Sequence, residues 1–391
     1  MNIYFFYPSS TLGGAENLLL ETARILYNSG YDVGVIDSPN GWLVTKFKEE
    51  IPSVDIKLFV GDKVKVEDSV IIMPSNMIFK IGRFVEGTKS TNIILWTMQP
   101  YNLINRIYRA RKFTGVTKTL VGLFENVVYF NKRMVLKYFL QRSFFNKSLY
   151  CIDVECNSKL NQAYGISHNA VLPIIIPEHK VKNSSVDLKK KQRTALWVGR
   201  IDLDFKFEIL KKLIKDFDDL EDKKNFVFNI VGEGEGLVKL KLYCKDLKLK
   251  INWLGTKDSI ELKNIIDDSY VGFAMGTSAL EMAARGLPTI LLDYSYSKVP
   301  DSYRYRFIHE VVDYCVGENI ADIEVDNLNS RYTLKNVLDM VDGSYVEMSF
   351  LSVDYIKRFY STAAFKEKII SAIDSTTLTL NDCEYLWSKN N

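Results

Sequence analysis

The sequence predicts an α/β protein made of two domains, each a doubly wound parallel sheet. Three observations carry this expectation. The 391 residues are too many for one typical core and about right for two. Short apolar runs with strand character end repeatedly in glycine turns and continue as helical sequence. Residues 271–292, VGFAMGTSALEMAARGLPTILL, contain the whole unit: a strand, a turn at Gly276, Thr277 and Ser278, and a helix carrying Glu281. Gly286 and Pro288 stop that helix, and a new strand starts at Thr289.

The first domain is expected over residues 1–176. Residues 3–7 read as a buried strand, because they lack a basic lead and meet Pro8-Ser9-Ser10 too soon for an export signal. A glycine-rich turn follows at Leu12, Gly13, Gly14, Ala15 and Glu16. Further strands are expected at 32–36, 69–73 and 92–96, with a clear turn over 37–41. Residues 177–193 turn polar and basic, with Ser184, Ser185 and Lys189 to Lys191, and read as a linker. The second domain is expected over 194–360. Its strand at 194–198 ends in Gly199 and Arg200, and Lys206 precedes a helix. The strand at 226–231 closes in Gly232, Glu233, Gly234, Glu235 and Gly236, and that at 251–254 closes in Gly255.

The chemistry of these turns points to an anion. A helix that starts directly after a strand offers unpaired N–H groups and the positive end of its dipole, which suits a phosphate. Glu281, one turn into such a helix, is within reach of a neighbouring sugar hydroxyl. An ordinary strand–helix–strand unit shows the same local pattern without a ligand, so the order of the motifs along the chain matters more than any one of them.

That order, Gly199-Arg200 with Lys206, then Gly232-Glu233-Gly234, then Trp253-Leu254-Gly255, then SALEMAARGLP at 278–288, resembles the donor half of GT-B glycosyltransferases, especially the retaining family-4 type. The resemblance spans roughly residues 1–35 and 194–320, and is closest to transferases of bacterial O-antigen, lipopolysaccharide and capsule synthesis. It implies a GT-B fold, two Rossmann-like domains facing a central cleft, with residues 361–391 crossing back to the first domain. It implies transfer of a sugar from a nucleotide-sugar donor to a glycan acceptor, with no metal or other cofactor. Arg200 and Lys206 match the phosphate-binding pair, Glu281 the glutamate that accepts the ribose hydroxyls, and Gly14 the turn that approaches the diphosphate. Gly199, Gly232, Gly234, Gly276, Thr277 and Ser278 fall at donor-side positions, and Gly13 and Gln99 at acceptor-side positions.

The chain also departs from the family. Eight positions before Glu281, where a second glutamate is common, stands Phe273, and the loop into Gly276 is short. Where many relatives carry a histidine near the reacting sugar, this chain reads Trp96-Thr97-Met98-Gln99-Pro100, and Gln99 can hydrogen-bond a sugar but cannot act as a base. The spacing from Arg200 to Lys206 is one residue longer than usual. A non-catalytic GT-B partner protein and a GT-B sugar-nucleotide epimerase therefore stand as alternatives. The retained Arg200, Lys206, Gly14 and Glu281 weigh against the first. The absence of a well-placed histidine or acid pair weighs against the second.

Composition narrows the rest. Five cysteines, odd in number and without a CxxC, argue against a disulfide framework or a zinc site and suit a reducing cytoplasm. His168, His179 and His309 cluster with no other ligand type. The Asp202-Leu203-Asp204 string could suggest a metal site, but it lies between Arg200 and Lys206 and reads as an acidic turn. No run of about 18 apolar residues suggests a spanning helix.

Between 103 and 148, Arg106, Arg109, Arg111, Lys112, Lys118, Lys132, Arg133, Lys137, Arg142 and Lys147 face Glu125 alone. Aromatic residues such as Tyr108, Phe113, Phe124, Tyr129, Phe130, Tyr138 and Phe145 are interleaved with them. This suits an anionic membrane surface, and no nucleic-acid motif accompanies it. The expectation is a peripheral enzyme on the cytoplasmic face of the membrane that acts on a lipid-linked glycan. A solvated helical face backed by core aromatics would produce the same composition.

Overall fold

The structure, a computed structural model, describes residues 1–11, 13–99, 102–103, 130–167, 170–178, 189 and 193–388. Leu12, Pro100, Arg106, Arg109, Arg111, Lys112, Lys118, Glu125, His168, His179 and most of the expected linker lie outside the described residues. The chain divides into two compact units, one of Met1–Ile175 with Thr362–Asn391, the other of Ile176–Ser361.

In the first unit the strands are β1 (Asn2–Phe6), β2 (Asp32–Asp37), β3 (Asp55–Leu58), β4 (Val64–Val66), β5 (Ser69–Pro74), β6 (Val85–Gly87), β7 (Thr91–Thr97) and β8 (Leu149–Cys151). Six of them form a parallel sheet in the order β3-β2-β1-β5-β7-β8, and β4 and β6 pair separately. Residues alternate across β1, so Ile3 and Phe5 join the core beneath the helix Gly14–Tyr27, while Tyr4 and Phe6 join the core on the other face. That double burial is why these strands read as continuous apolar runs.

Residues 362–388 complete this unit. The helix Thr362–Ser375 buries Phe365 and Ile369, and Phe365 stacks on Trp96 at 5.7 Å. Beyond it, the amide of Leu380 donates to the carbonyl of Thr91 at 2.8 Å, and the indole of Trp387 donates to the carbonyl of Ile78 at 2.7 Å.

The second unit holds β9 (Thr194–Val198), β10 (Val227–Val231), β11 (Lys250–Gly255), β12 (Val271–Ala274), β13 (Thr289–Leu291) and β14 (Arg306–Phe307). They run in the order β11-β10-β9-β12-β13-β14, parallel except for β14. The helix Phe207–Asp218 buries Ile209, Leu210, Leu213, Ile214 and Phe217 against this sheet. Both six-stranded sheets share one strand order, differing in the direction of the last strand. The chain winds outward from the first strand in one direction, then crosses over and winds the other way. The reversal leaves a crevice at the carboxyl ends, between β1 and β5 in one unit and between β9 and β12 in the other.

Candidate functional site

In the second unit the sequence-predicted donor residues lie in the turns at the carboxyl ends of the strands and in the helix Thr277–Ala284, whereas Gly14 belongs to the first unit. Strands β9 and β12 pair directly, with Phe273 opposite Trp197, so the turns that leave them lie side by side. One turn is Gly199–Arg200; the other is Met275–Gly276, which opens the helix Thr277–Ala284.

The glycines of the 232–236 turn serve this arrangement from behind. A β-carbon on Gly232, at φ +132°, would lie 2.0 Å from the carbonyl oxygen of Gly199, and one on Gly234, at φ +158°, would lie 2.5 Å from that of Ile201. Two hydrogen bonds tie the turns together: the amide of Gly199 donates to Val231 at 3.1 Å, and that of Ile201 to Glu233 at 2.9 Å. Gly232 and Gly234 are thus required for close backbone approach, and they set the path of the Gly199–Arg200 turn.

Within that turn Lys206 is half-buried and Arg200 is open. The Arg200 side chain is 74% exposed and sits 3.4 Å from Asp202. Burial pushes the Lys206 ammonium below the ordinary lysine value and repulsion from Arg200 adds to the shift, with Asp202 opposing both. The two cations of this short loop repel each other, so an anion between them would relieve the repulsion. Of the acidic string in this loop, Asp202 acts on both members of the basic pair. Among the described residues no three His, Cys, Asp or Glu side chains gather as metal ligands.

Gly276 has φ +66° and ψ −149°, and its amide donates to the carbonyl of Val316 at 2.8 Å. The next amides, of Thr277 and Ser278, find no acceptor among the described residues and point the helix terminus toward the crevice. Glu281, one turn on, lines a cavity of 220 Å³ with Pro177, Ser259, Lys263 and Arg285. Burial raises its carboxyl above the usual glutamate value, while Lys263 and Arg285 pull it back. Arg285 is itself held by Asp267 through two bonds of 2.7 and 2.6 Å. Lys263 and Arg285 were not apparent as site residues in the sequence. They come from a neighbouring helix, Ser259–Asp268, and from the end of Glu281's own helix.

Phe273 is fully buried and packs edge-on against Phe217 and Tyr305. The chain therefore has core at the position where a second glutamate was sought. A larger cavity of 470 Å³ opens near Arg193, at the amino end of β9, and takes in Asp216, Tyr305 and Leu334. It lies away from the glycine turns.

In the first unit, Gly13 caps the helix Gly14–Tyr27, and a β-carbon there would meet the Glu16 carboxylate at 2.7 Å. Nothing lies within 4 Å of the corresponding point on Gly14. Both follow β1, at that sheet's own crevice. Gln99 is exposed just beyond the end of β7.

Residues 180–299, which contain these turns, match the family described as glycosyl transferases group 1. This chain carries a group 1 glycosyltransferase domain. No curated protein matches it by sequence. Among solved structures, the lipopolysaccharide outer core galactosyltransferase WaaB in its apo form is 13% identical, over 96% of this chain and 99% of that one, with a TM-score of 0.54. HepE of Anabaena in complex with UDP-glucose is 12% identical over 96% and 100%, with a TM-score of 0.54. A glycosyltransferase from Rickettsia africae is 11% identical over 95% and 97%, with a TM-score of 0.58. The architecture is the GT-B fold, α/β with a parallel sheet in each domain, and the protein is a glycosyltransferase.

Proposed function

We propose that this glycosyltransferase moves a sugar from a nucleoside diphosphate donor, without a metal, to a lipid-linked glycan in bacterial surface polysaccharide synthesis. The observation that carries the donor reading is the convergence of Arg200, Lys206 and the Thr277–Ser278 helix terminus at one strand-order reversal. When the bond between the anomeric carbon and the diphosphate breaks, its electron pair stays on the phosphate oxygen. The two cations and the helix-terminal amides would stabilise that charge as it develops. Glu281 would accept the ribose hydroxyls, and HepE, solved with UDP-glucose, supports a nucleotide of this class.

Retention of configuration would fit Gln99 at the position of the usual histidine, since its amide cannot act as a base. The incoming hydroxyl forms the new bond, and its proton passes to the departing phosphate oxygen. Gln99 would only orient the sugar.

A membrane-borne acceptor is supported by the helix Phe130–Phe145. Leu136, Phe139, Leu140 and Ser143 are buried on one side of it, while Phe130, Met134, Tyr138 and Phe145 are exposed on the opposite side. Arg133 and Lys137 flank the exposed stripe, which favours an anionic lipid surface. Among the described residues no helix is long and apolar enough to cross a membrane.

The test is a calorimetric screen of the purified protein against UDP, GDP, CMP and dTDP with EDTA present. Tight binding of one nucleoside diphosphate supports the reading. Binding that needs added manganese overturns the metal-free part, and no binding overturns the donor site.

A further inference from the structure

A buried charge cluster at the carboxyl end of β13 has no part in the donor reading so far. Asp293 is completely buried. Its Oδ1 accepts from Arg306 Nη2 at 2.9 Å and from the amide of Glu318 at 3.0 Å. Its Oδ2 accepts from Arg331 Nη1 and from the hydroxyl of Tyr303 at 3.2 Å. Glu318 Oε2 closes the cluster, 2.8 Å from Arg306 and 3.4 Å from Arg331. The two arginine side chains are 14% and 7% exposed, so they meet the Asp293 carboxylate almost out of water, while Glu318, 34% exposed, stands at the rim.

The cluster clamps the loop 315–318. Arg306 Nη2 reaches Cys315 Sγ at 3.5 Å, and the amide of Gly317 donates to the same sulfur at 3.4 Å. Gly317 has φ +120°, and a β-carbon there would lie 2.7 Å from the carbonyl oxygen of Leu292. Between these fixed points Val316 presents the carbonyl that accepts the Gly276 amide at 2.8 Å. The loop thus runs from the charge cluster to the first residue of the donor-side helix turn.

We propose that Asp293 is a positioning residue for the diphosphate. Through Arg306, Glu318 and the loop 315–318 it fixes the Gly276 turn, so that the Thr277 and Ser278 amides are aimed before the donor binds. This rests on the donor site proposed above and assigns its rigidity to a carboxylate that never touches the donor. Arg306 Nε is left without a partner among the described residues, but the remaining bonds of this buried network restrain its members, and an oxyanion site depends on donors placed in advance. Removing the Asp293 charge leaves two arginines undercompensated, and the loop can relax away from Gly276.

The experiment compares UDP with UMP by titration calorimetry on the wild type, Asp293→Asn and Glu318→Gln. The helix terminus would hold the second phosphate, so the ratio of the two affinities reads its alignment. Asp293→Asn is expected to weaken UDP binding about tenfold and to change UMP binding by less than about twofold, a displacement effect transmitted from outside the contact shell. Glu318→Gln, at a third-exposed position, should move the ratio in the same direction by less, and it carries the measurement if Asp293→Asn does not fold. Equal losses for both nucleotides, or none, would overturn the positioning role. A wild type that binds none of UDP, GDP and dTDP more tightly than the matching monophosphate would overturn the donor site itself, so the two failures are distinguishable.

Discussion

The ammonium of Lys206 rests against Gly199, and a β-carbon on that glycine would lie 3.6 Å from Nζ. The contact places the charge at the carboxyl end of β9, directly over the first residue of the turn that carries Arg200. Lys206 stands just ahead of the helix Phe207–Asp218, so its backbone is anchored, whereas the Arg200 side chain is mostly exposed and paired with Asp202. The loop pairs a partly desolvated cation with a solvated one.

This difference predicts a pH dependence. Burial and Arg200 lower the Lys206 pKa below the ordinary 10.5, so diphosphate affinity should begin to fall at a lower alkaline pH than an ordinary lysine would give. Lys206→Met should weaken binding and flatten that alkaline limb. Stability moves oppositely: the unfolded chain binds more protons between the lowered value and 10.5, so stability rises with pH across that window. Calorimetry from neutral to alkaline pH checks the first, and denaturant midpoints check the second. An alkaline limb unchanged by Lys206→Met would remove Lys206 from the site.

Arg200 should act through a charge-assisted hydrogen bond alone. Arg200→Ala is expected to weaken nucleoside diphosphate binding by about 1.5–3 kcal/mol with little change in thermal stability, because the side chain is mostly solvated. EDTA should leave both proteins' affinities unaltered. A large loss of stability with intact affinity would assign Arg200 to the fold instead.

For Glu281 the sign is that of a buried acid. Its raised pKa means that donor binding through the carboxylate is gained as pH rises through that value, and Glu281→Gln should abolish this acid limb while raising the donor KM. The native state holds the extra proton in the same window above 4.5, so the contribution of Glu281 to stability declines as pH rises through it. Glu281→Ala should lower kcat/KM about tenfold to a thousandfold, the worth of one charged hydrogen-bond site. A 2′,3′-dideoxy nucleotide that competes as well as the natural one would show that Glu281 does not read the ribose.

The fold was legible in the sequence because the glycines that end β9, β10 and β11 mark strand ends directly. The reversal of strand order follows from the way such units wind. Local geometry was legible where a motif is local, as at the Gly276 turn and the helix that carries Glu281. It was not legible where function depends on what packs behind the motif. Gly232 and Gly234 looked like ligand-facing glycines, yet the backbone of Gly199 and Ile201 fills the space beside them. Lys263 reaches the Glu281 cavity from another helix, and Asp293 gathers Arg306, Glu318 and Arg331 from up to 38 positions away. Such contacts leave no periodic trace in the sequence. Phe273 has the opposite lesson: its place in a four-residue buried strand is readable from Val271–Ala274 and suffices to exclude a carboxylate there.

Membrane attachment should depend on two separable forces. The helix Phe130–Phe145 is apolar on two sides, one packed into the domain core and the other exposed through Phe130, Met134, Tyr138 and Phe145. Arg133 and Lys137 beside the exposed stripe add attraction to anionic lipid, at about 1 kcal/mol per basic residue close to the surface. Replacing Phe130, Met134 and Phe145 with Ser should weaken binding to vesicles of phosphatidylglycerol and phosphatidylcholine at every salt concentration. Replacing Arg106, Arg109, Arg111 and Lys112 with Glu should remove mainly the salt-sensitive part, because screening acts on charge and leaves apolar insertion in place. Both variants should bind the nucleoside diphosphate as the wild type does. Co-sedimentation decides the matter. If wild type and variants bind anionic vesicles equally, or none binds, the stripe is an ordinary solvated face and a soluble acceptor becomes the better reading.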